Sequence, residues 1–155
     1  MQFKSKVRTC LWFAKGGQAA AEFYVSLVPE SAIDAVYEHG QADDPMIVEF
    51  TLAGAPMMIL TAGPHHELTP AASISVLTKD QSETDRLWSA LLADGGEAGM
   101  CGWLKDRYGV SWQIIPEALP LLLADPDRDA AARAQEAMMQ MNKIEIAELE
   151  AAARS

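Results

Sequence analysis

Apolar and polar residues alternate over several short stretches in the first half of the chain, a pattern typical of half-buried β-strands. The stretch after Gly16-Gly17 instead places Ala21, Tyr24 and Val25 on one side of a helix. We therefore predict a helix at about 18–27 and strands at 7–13, 31–38, 46–52 and 57–60. The predicted order of elements is βαβββ.

A connector at 63–70 separates these elements from a second set in the same order. Ser82-x-x-Asp85 predicts the start of its helix and Gly95-Gly96 the end. Its strands are predicted at 72–78, in two short pieces around 99–105, and at 110–115. The chain thus contains two βαβββ modules, at 1–62 and 71–116.

Residues 117–155 form a helical extension to the second module. We expect a short apolar helix at 117–124, broken by Pro120, and an Ala- and Met-rich helix at 127–140. Asn142-x-x-Glu145 fits a capping box for a final helix, so the tail should pack against the rest. We treat the whole chain as one structural domain of the α+β class.

The segment from Cys101 to Pro116 predicts a hairpin, because Asp106 to Gly109 has turn chemistry between two strand-like runs. Its second strand carries one amide, Gln113, among mostly apolar side chains. Alternation places Gln113 on one sheet face with Ser111 and Ile115. We expect Trp112 on the opposite face, toward the helices, and Trp12 likewise in the first module.

Composition and charge narrow the function classes. The 155 residues carry a formal net charge of −10, which disfavours nucleic acid and anionic membrane surfaces as partners. Neither a signal-peptide pattern nor an apolar run of membrane-spanning length occurs in the sequence. Cys10 and Cys101 are too few for a disulfide framework. We expect a cytoplasmic protein.

Three motifs point to a family: Gly-x-x-Ala-x-x-Phe-Tyr at 17–24, Cys-Gly-Trp-Leu-Lys-Asp at 101–106, and Ala-Met-Met-x-Met-x-Lys-Ile at 137–144. With the βαβββ order, they resemble the vicinal-oxygen-chelate (glyoxalase, bleomycin resistance and dioxygenase) superfamily. The chain is most similar to its PhnB-like branch, often labelled 3-demethylubiquinone-9 3-methyltransferase. The resemblance implies that the modules form a curved mixed sheet or half-barrel cleft, commonly in a homodimer.

Metal-dependent members of that superfamily hold a divalent ion with one side chain from each of four strands. The resemblance assigns those four positions to Thr9, Met58, Ser73 and Gln113, with Ile59 as the alternative to Met58. These side chains have no charge to offset the desolvation of a divalent cation. We therefore expect neither a resident metal nor another cofactor.

Other chemistry has weaker support in the sequence. His65 and His66 are adjacent in the connector, so they are solvated or, for one of them, in contact with the edge of the cleft. His39, also in a turn-like context, completes no nucleophile set with Cys101. Gly16-Gly17 is typical of a loop that precedes a helix and does not form a cofactor-binding glycine motif. This argues against a methyltransferase.

The resulting hypothesis is a metal-independent protein that binds a small, moderately apolar organic ligand. Trp103 could stack on a flat ligand. The predicted cleft is lined by Thr9, Leu11, Phe13, Met58, Ser73, Ser75, Trp103, Ser111 and Gln113. The alternatives are a glyoxalase- or dioxygenase-like enzyme with a weak or transient divalent metal, and the labelled methyltransferase activity.

Overall fold

The computed structural model describes residues 5–38 and 44–155. They belong to two compact units, Met1–Leu68 and Thr69–Ser155. The helical extension belongs to the second unit together with the second module, rather than standing apart. In the described part of the chain, no helix has the length and apolar character needed to span a membrane.

The first unit is a four-stranded mixed sheet with one helix, in the predicted βαβββ order. Its elements are β1 (Thr9–Phe13), α1 (Gly17–Leu27), β2 (Ala32–Tyr37), β3 (Ile47–Leu52) and β4 (Ala55–Thr61). The strand order is β1-β4-β3-β2, with β1 parallel to β4 and the other pairs antiparallel.

Helix α1 packs closely against β4. A Cβ atom on Gly17 would collide with the side chains of Ile59 and Thr61, so only glycine permits this approach. Ala20, Ala21 and Tyr24 of α1 are fully buried. The sheet face that carries Ile59 is therefore the core face of this unit.

The second unit repeats this arrangement and adds the extension. Its sheet contains β5 (Ile74–Thr78), β6 (Glu97–Ala98), β7 (Trp103–Lys105) and β8 (Ser111–Pro116), with α2 (Gln81–Leu92) between β5 and β6. The strand order is β5-β8-β7-β6, and β5 runs parallel to β8. The predicted second βαβββ module is confirmed.

Helix α2 begins two residues before the predicted position. The carboxylate of Asp80 accepts the Glu83 N–H at 2.8 Å, and the Glu83 carboxylate accepts the Lys79 N–H at 2.8 Å. Asp80-x-x-Glu83 is therefore the cap, and the predicted Ser82-x-x-Asp85 is wrong. Asp85 instead accepts hydrogen bonds from Gln81 and Lys143.

The extension forms three helices, α3 (Ala118–Leu123), α4 (Arg128–Met138) and α5 (Ile146–Arg154). They enclose a cluster of buried apolar side chains that contains Leu119, Met141, Ile144 and Leu149. Pro120 is the third residue of α3, where a backbone N–H has no helical partner to lose. The predicted break at Pro120 is therefore wrong.

The predicted capping box at the start of α5 is also wrong. The Asn142 side-chain amide donates to the Gly99 carbonyl at 2.7 Å instead of capping the helix. The first N–H of α5, from Ile146, donates to the side-chain oxygen of Gln81 at 2.8 Å. The cap thus comes from α2, a tertiary contact that local spacing cannot predict.

Candidate functional site

The two faces of the second sheet differ in what covers them. Thr78 of β5 and Thr84 of α2 share a hydrogen bond of 2.6 Å, which marks the face that the helix covers. Trp112 and Ile114 are at most 1% exposed. Gln113 between them points to the other face, away from α2, as predicted.

That open face brings the predicted polar residues of the second module together. The amide nitrogen of Gln113 donates to Ser73 Oγ at 2.9 Å. In the sheet register, Gln113 pairs with Ser75 on one side and Trp103 on the other. Alternation along β8 adds Ser111 to the same face. These five uncharged residues are therefore neighbours on the face away from α2, where Ser111 is buried and the charged Lys105 pairs with it in register.

A cavity of about 310 Å³ lies at the β6 and β7 edge of this sheet. Two predicted site residues, Trp103 and Ser111, line it. Part of the cavity wall is formed by Lys105 and Glu97, whose solvent-exposed side chains make an ion pair of 3.0 Å. The other lining residues were not predicted from the sequence; they are Pro70, Glu97, Ala98, Gly99, Leu104 and Lys105.

The Asp106 carboxylate holds the hairpin that positions β7 against β8. It accepts the N–H groups of Tyr108 at 2.8 Å and Val110 at 3.0 Å, and the indole N–H of Trp112 at 2.9 Å. Gly109 has the positive φ of 88° that completes the turn. The predicted turn at 106–109 is confirmed. The Asp106 side chain fixes the register that places Gln113 opposite Trp103.

In the first unit, the predicted cleft residues of β1 lie on the covered face. Leu11 is 6% exposed and Phe13 is 4% exposed, and Leu11 pairs with the Ile59 that packs under α1. Thr9 has the same orientation by alternation, although it is exposed. These residues belong to the core face, so the assignment of Leu11 and Phe13 to an open cleft is wrong.

The open face of the first sheet carries different residues. Met58 lies there, paired in register with Cys10 and Glu49. The guanidinium of Arg8 forms a 2.9 Å ion pair with Glu49. Partial desolvation raises the pKa of the Cys10 thiol, which therefore stays protonated at neutral pH. The sequence pattern did not predict Arg8, Cys10 or Glu49 as members of this surface.

Trp12 also lies on this open face, contrary to the prediction that it faces the helix. Its indole N–H donates to the Gly63 carbonyl at 2.9 Å. The rings of His66 and His65 meet the indole edge-on, with ring centroids 4.7 and 6.4 Å away. The connector histidines thus pack on Trp12, while His39 lies outside the described residues.

The four positions assigned by resemblance to metal ligands do not fit a divalent cation. Thr9 is oriented to the core face, and Ser73 and Gln113 are neutral and bonded to each other. Over residues 5–38 and 44–155, no three His, Cys, Asp or Glu side chains are grouped to hold a metal ion. The carboxylate beside Met58, that of Glu49, is already paired with Arg8.

Comparison with known families gives one match across most of the chain. The model of the 3-demethylubiquinone-9 3-methyltransferase family matches residues 5–115. No curated protein matches. A Bacillus cereus protein named for 3-demethylubiquinone-9 3-methyltransferase and PhnB is similar in structure, with 29% identity and a TM-score of 0.66. The match covers 72% of this chain and 99% of that protein.

Two further solved structures share the fold at lower identity. A Pseudomonas aeruginosa protein is 21% identical, with a TM-score of 0.61 over 74% of this chain and 98% of its own. The fosfomycin resistance protein FosX of Listeria monocytogenes, solved with manganese(II), is 13% identical, with a TM-score of 0.53 over 74% of this chain and 93% of its own. These similarities concern the fold alone.

Proposed function

The chain belongs to the 3-demethylubiquinone-9 3-methyltransferase family and has the vicinal-oxygen-chelate fold, and on that premise we propose that it binds a small organic ligand without a metal. The observation that carries the proposal is the cavity beside Trp103, on a sheet face whose central polar pair is neutral. Gln113 and Ser73 do not line the cavity itself, but Gln113 pairs with Trp103 in the sheet register. Their neutral amide and hydroxyl can orient a ligand that extends from the cavity along this face, without requiring a charge on it.

The lining of the cavity favours a flat, moderately apolar ligand. A volume of about 310 Å³ is at the small end of the range for ligand pockets. The indole of Trp103 offers a broad face for stacking, and Ser111 offers a hydroxyl. The charges of Lys105 and Glu97 compensate each other at 3.0 Å, so the wall does not select for an ionic ligand.

The donor set argues for metal independence. A divalent ion needs several oxygen or nitrogen ligands with enough negative charge to replace its water. Ser73, Gln113 and Met58 provide no such charge. We therefore place a glyoxalase- or dioxygenase-like reaction that uses a divalent metal second to ligand binding.

The methyltransferase activity in the family label has less support. Gly16 is the left-handed N-cap of α1, and its N–H donates to the carboxylate of Asp44. An acidic side chain at this helix N-terminus opposes the binding of another anionic group there. Gly17 is required for packing against β4. These two glycines therefore have structural explanations.

We also propose a homodimer in a reducing compartment, the cytoplasm. Apolar side chains that are well exposed support self-association, among them Leu77 at 60% and Leu121 at 73%. Both described cysteines are free thiols, which suits a reducing environment. Light scattering that finds a 16.8 kDa particle at micromolar concentration would contradict the dimer.

A ligand screen tests the proposed binding function. Neutral aromatic fragments are screened by saturation-transfer NMR in chelator, and the affinity of each hit is measured for Trp103→Ala. We expect a loss of affinity of about 5- to 150-fold, because stacking on an indole contributes about 1–3 kcal/mol. Trp12→Ala, which removes a tryptophan from the first unit, is the matched control and should leave the affinity unchanged. Equal binding to Trp103→Ala would refute the site.

A further inference from the structure

We propose that the helical extension positions the wall of the ligand cavity, with Asn142 as the positioning residue. The part of this inference that concerns ligand affinity rests on the proposed function. The segment in question is the 99–102 loop, which connects β6 to β7 and leads directly into Trp103.

The extension holds this loop by three hydrogen bonds of equal length. The N–H groups of Cys101 and Gly102 donate to the carbonyls of Met141 and Asn142, each at 2.7 Å. The Asn142 side-chain amide donates to the Gly99 carbonyl, also at 2.7 Å. Successive loop residues are therefore bonded to successive residues of the extension.

The loop needs such support because its backbone is unfavourable on its own. Cys101 has a φ of 58° and Gly102 a φ of 82°, two consecutive residues in the left-handed region. For a residue with a side chain, this conformation has an energetic cost, because Cβ approaches the following carbonyl oxygen. The bonds to Met141 and Asn142 offset part of that cost and select this loop conformation.

The loop and the first residue of β7 both contribute to the cavity wall. Gly99 and Trp103 both line the cavity, and the Gly99 N–H donates to the Trp103 carbonyl at 2.8 Å. The Gly102 carbonyl accepts the Ile114 N–H at 2.8 Å, which ties the loop to β8 as well. A shift of the loop therefore moves the indole and the cavity wall together.

The extension is itself fixed to α2, so it can act as a rigid support. Gln81 donates to the Ile144 carbonyl at 3.0 Å and accepts the Ile146 N–H at 2.8 Å. Lys143 forms a 2.6 Å ion pair with Asp85, and Ile144 is fully buried. The segment that contacts the loop is thus held on its other side by a core helix.

The family model ends at residue 115, before the extension begins. The structural match with the Bacillus cereus protein includes 99% of that protein but only 72% of this chain. The 99–102 loop therefore lies within the residues that the family model matches, and its partners Met141 and Asn142 lie beyond them.

Fluorine NMR of the full-length protein labelled with 5-fluorotryptophan tests the positioning. The four tryptophans give four resonances, and Trp103→Phe assigns that of Trp103. Asn142→Ala removes the donor to Gly99, and Asn142→Asp replaces it with a carboxylate that repels the Gly99 carbonyl. We expect the Trp103 resonance to shift in both variants, more in Asn142→Asp, while that of the buried Trp112 does not move.

The matched control is Gln140→Ala, which removes an exposed amide two residues away in the same segment. The neutral dye 1-N-phenylnaphthylamine provides the binding readout, and we expect Asn142→Asp to weaken its affinity at least threefold. An unchanged Trp103 resonance in both Asn142 variants would overturn the positioning role. Failure of the dye and the neutral fragments to bind the wild-type protein would instead count against the proposed function, because the resonance shift needs no ligand.

Discussion

Replacing Asp106 with alanine should destabilise the second unit more than any change at an exposed acidic residue. The carboxylate is 2% exposed and accepts three hydrogen bonds, two of them from the buried donors on Val110 and Trp112. An unsatisfied buried donor costs about 1–3 kcal/mol, so the loss of both acceptors should cost about 2–6 kcal/mol. Asp106→Asn keeps one carbonyl oxygen and should cost about half as much.

The assay is urea unfolding followed by circular dichroism, with Asp94→Asn as the matched control. Asp94 forms a 3.0 Å ion pair with Arg107, but its side chain is 75% exposed. Such pairs contribute about 0–1 kcal/mol, so the control should remain close to wild type. A loss below about 1 kcal/mol for Asp106→Ala, with an unchanged dependence on urea, would refute the assigned role of this carboxylate.

Three further predictions concern the open face, the metal and the tail. Gln113→Leu should lower the free energy of unfolding by only about 1 kcal/mol, because it removes one part-buried hydrogen bond to Ser73. The same substitution should weaken the binding of fragment hits. A loss of stability above about 3 kcal/mol in urea unfolding would contradict this. Elemental analysis should find less than about one equivalent of divalent metal per chain, and chelator should leave the Tm unchanged; stoichiometric metal would contradict it. The hydrogen-bonded ion pair with Lys143 lowers the pKa of Asp85. The wild type should therefore have a higher Tm than Asp85→Asn at neutral pH, and this difference should disappear as pH falls through the lowered pKa. A difference in Tm that grows in acid would contradict this.

The second module could be predicted in more detail than the first because its last strand carries an informative polar residue. Gln113 between Trp112 and Ile114 distinguishes the two faces of β8, and the structure agrees. In β1, both faces are apolar, so alternation separates Leu11 from Trp12 without showing which is covered. The answer depends on where α1 packs, which is a tertiary property.

Contacts between distant segments also explain the errors at helix ends. Gln81 caps α5 from 65 positions away, and Asn142 bonds to Gly99 from 43 positions away. Local spacing favoured Asn142 as a cap because the residue type and the glutamate three positions later fit the motif. Arg8 and Glu49 likewise come together only when β1, β4 and β3 align in the sheet, so local sequence does not predict their ion pair.

Calorimetry shows directly whether the protein binds a neutral organic ligand without a metal. The tightest fragment hit is titrated into the chelator-treated protein, with and without added manganese(II). We expect the same affinity in both titrations. Binding that appears only when manganese is present would contradict it.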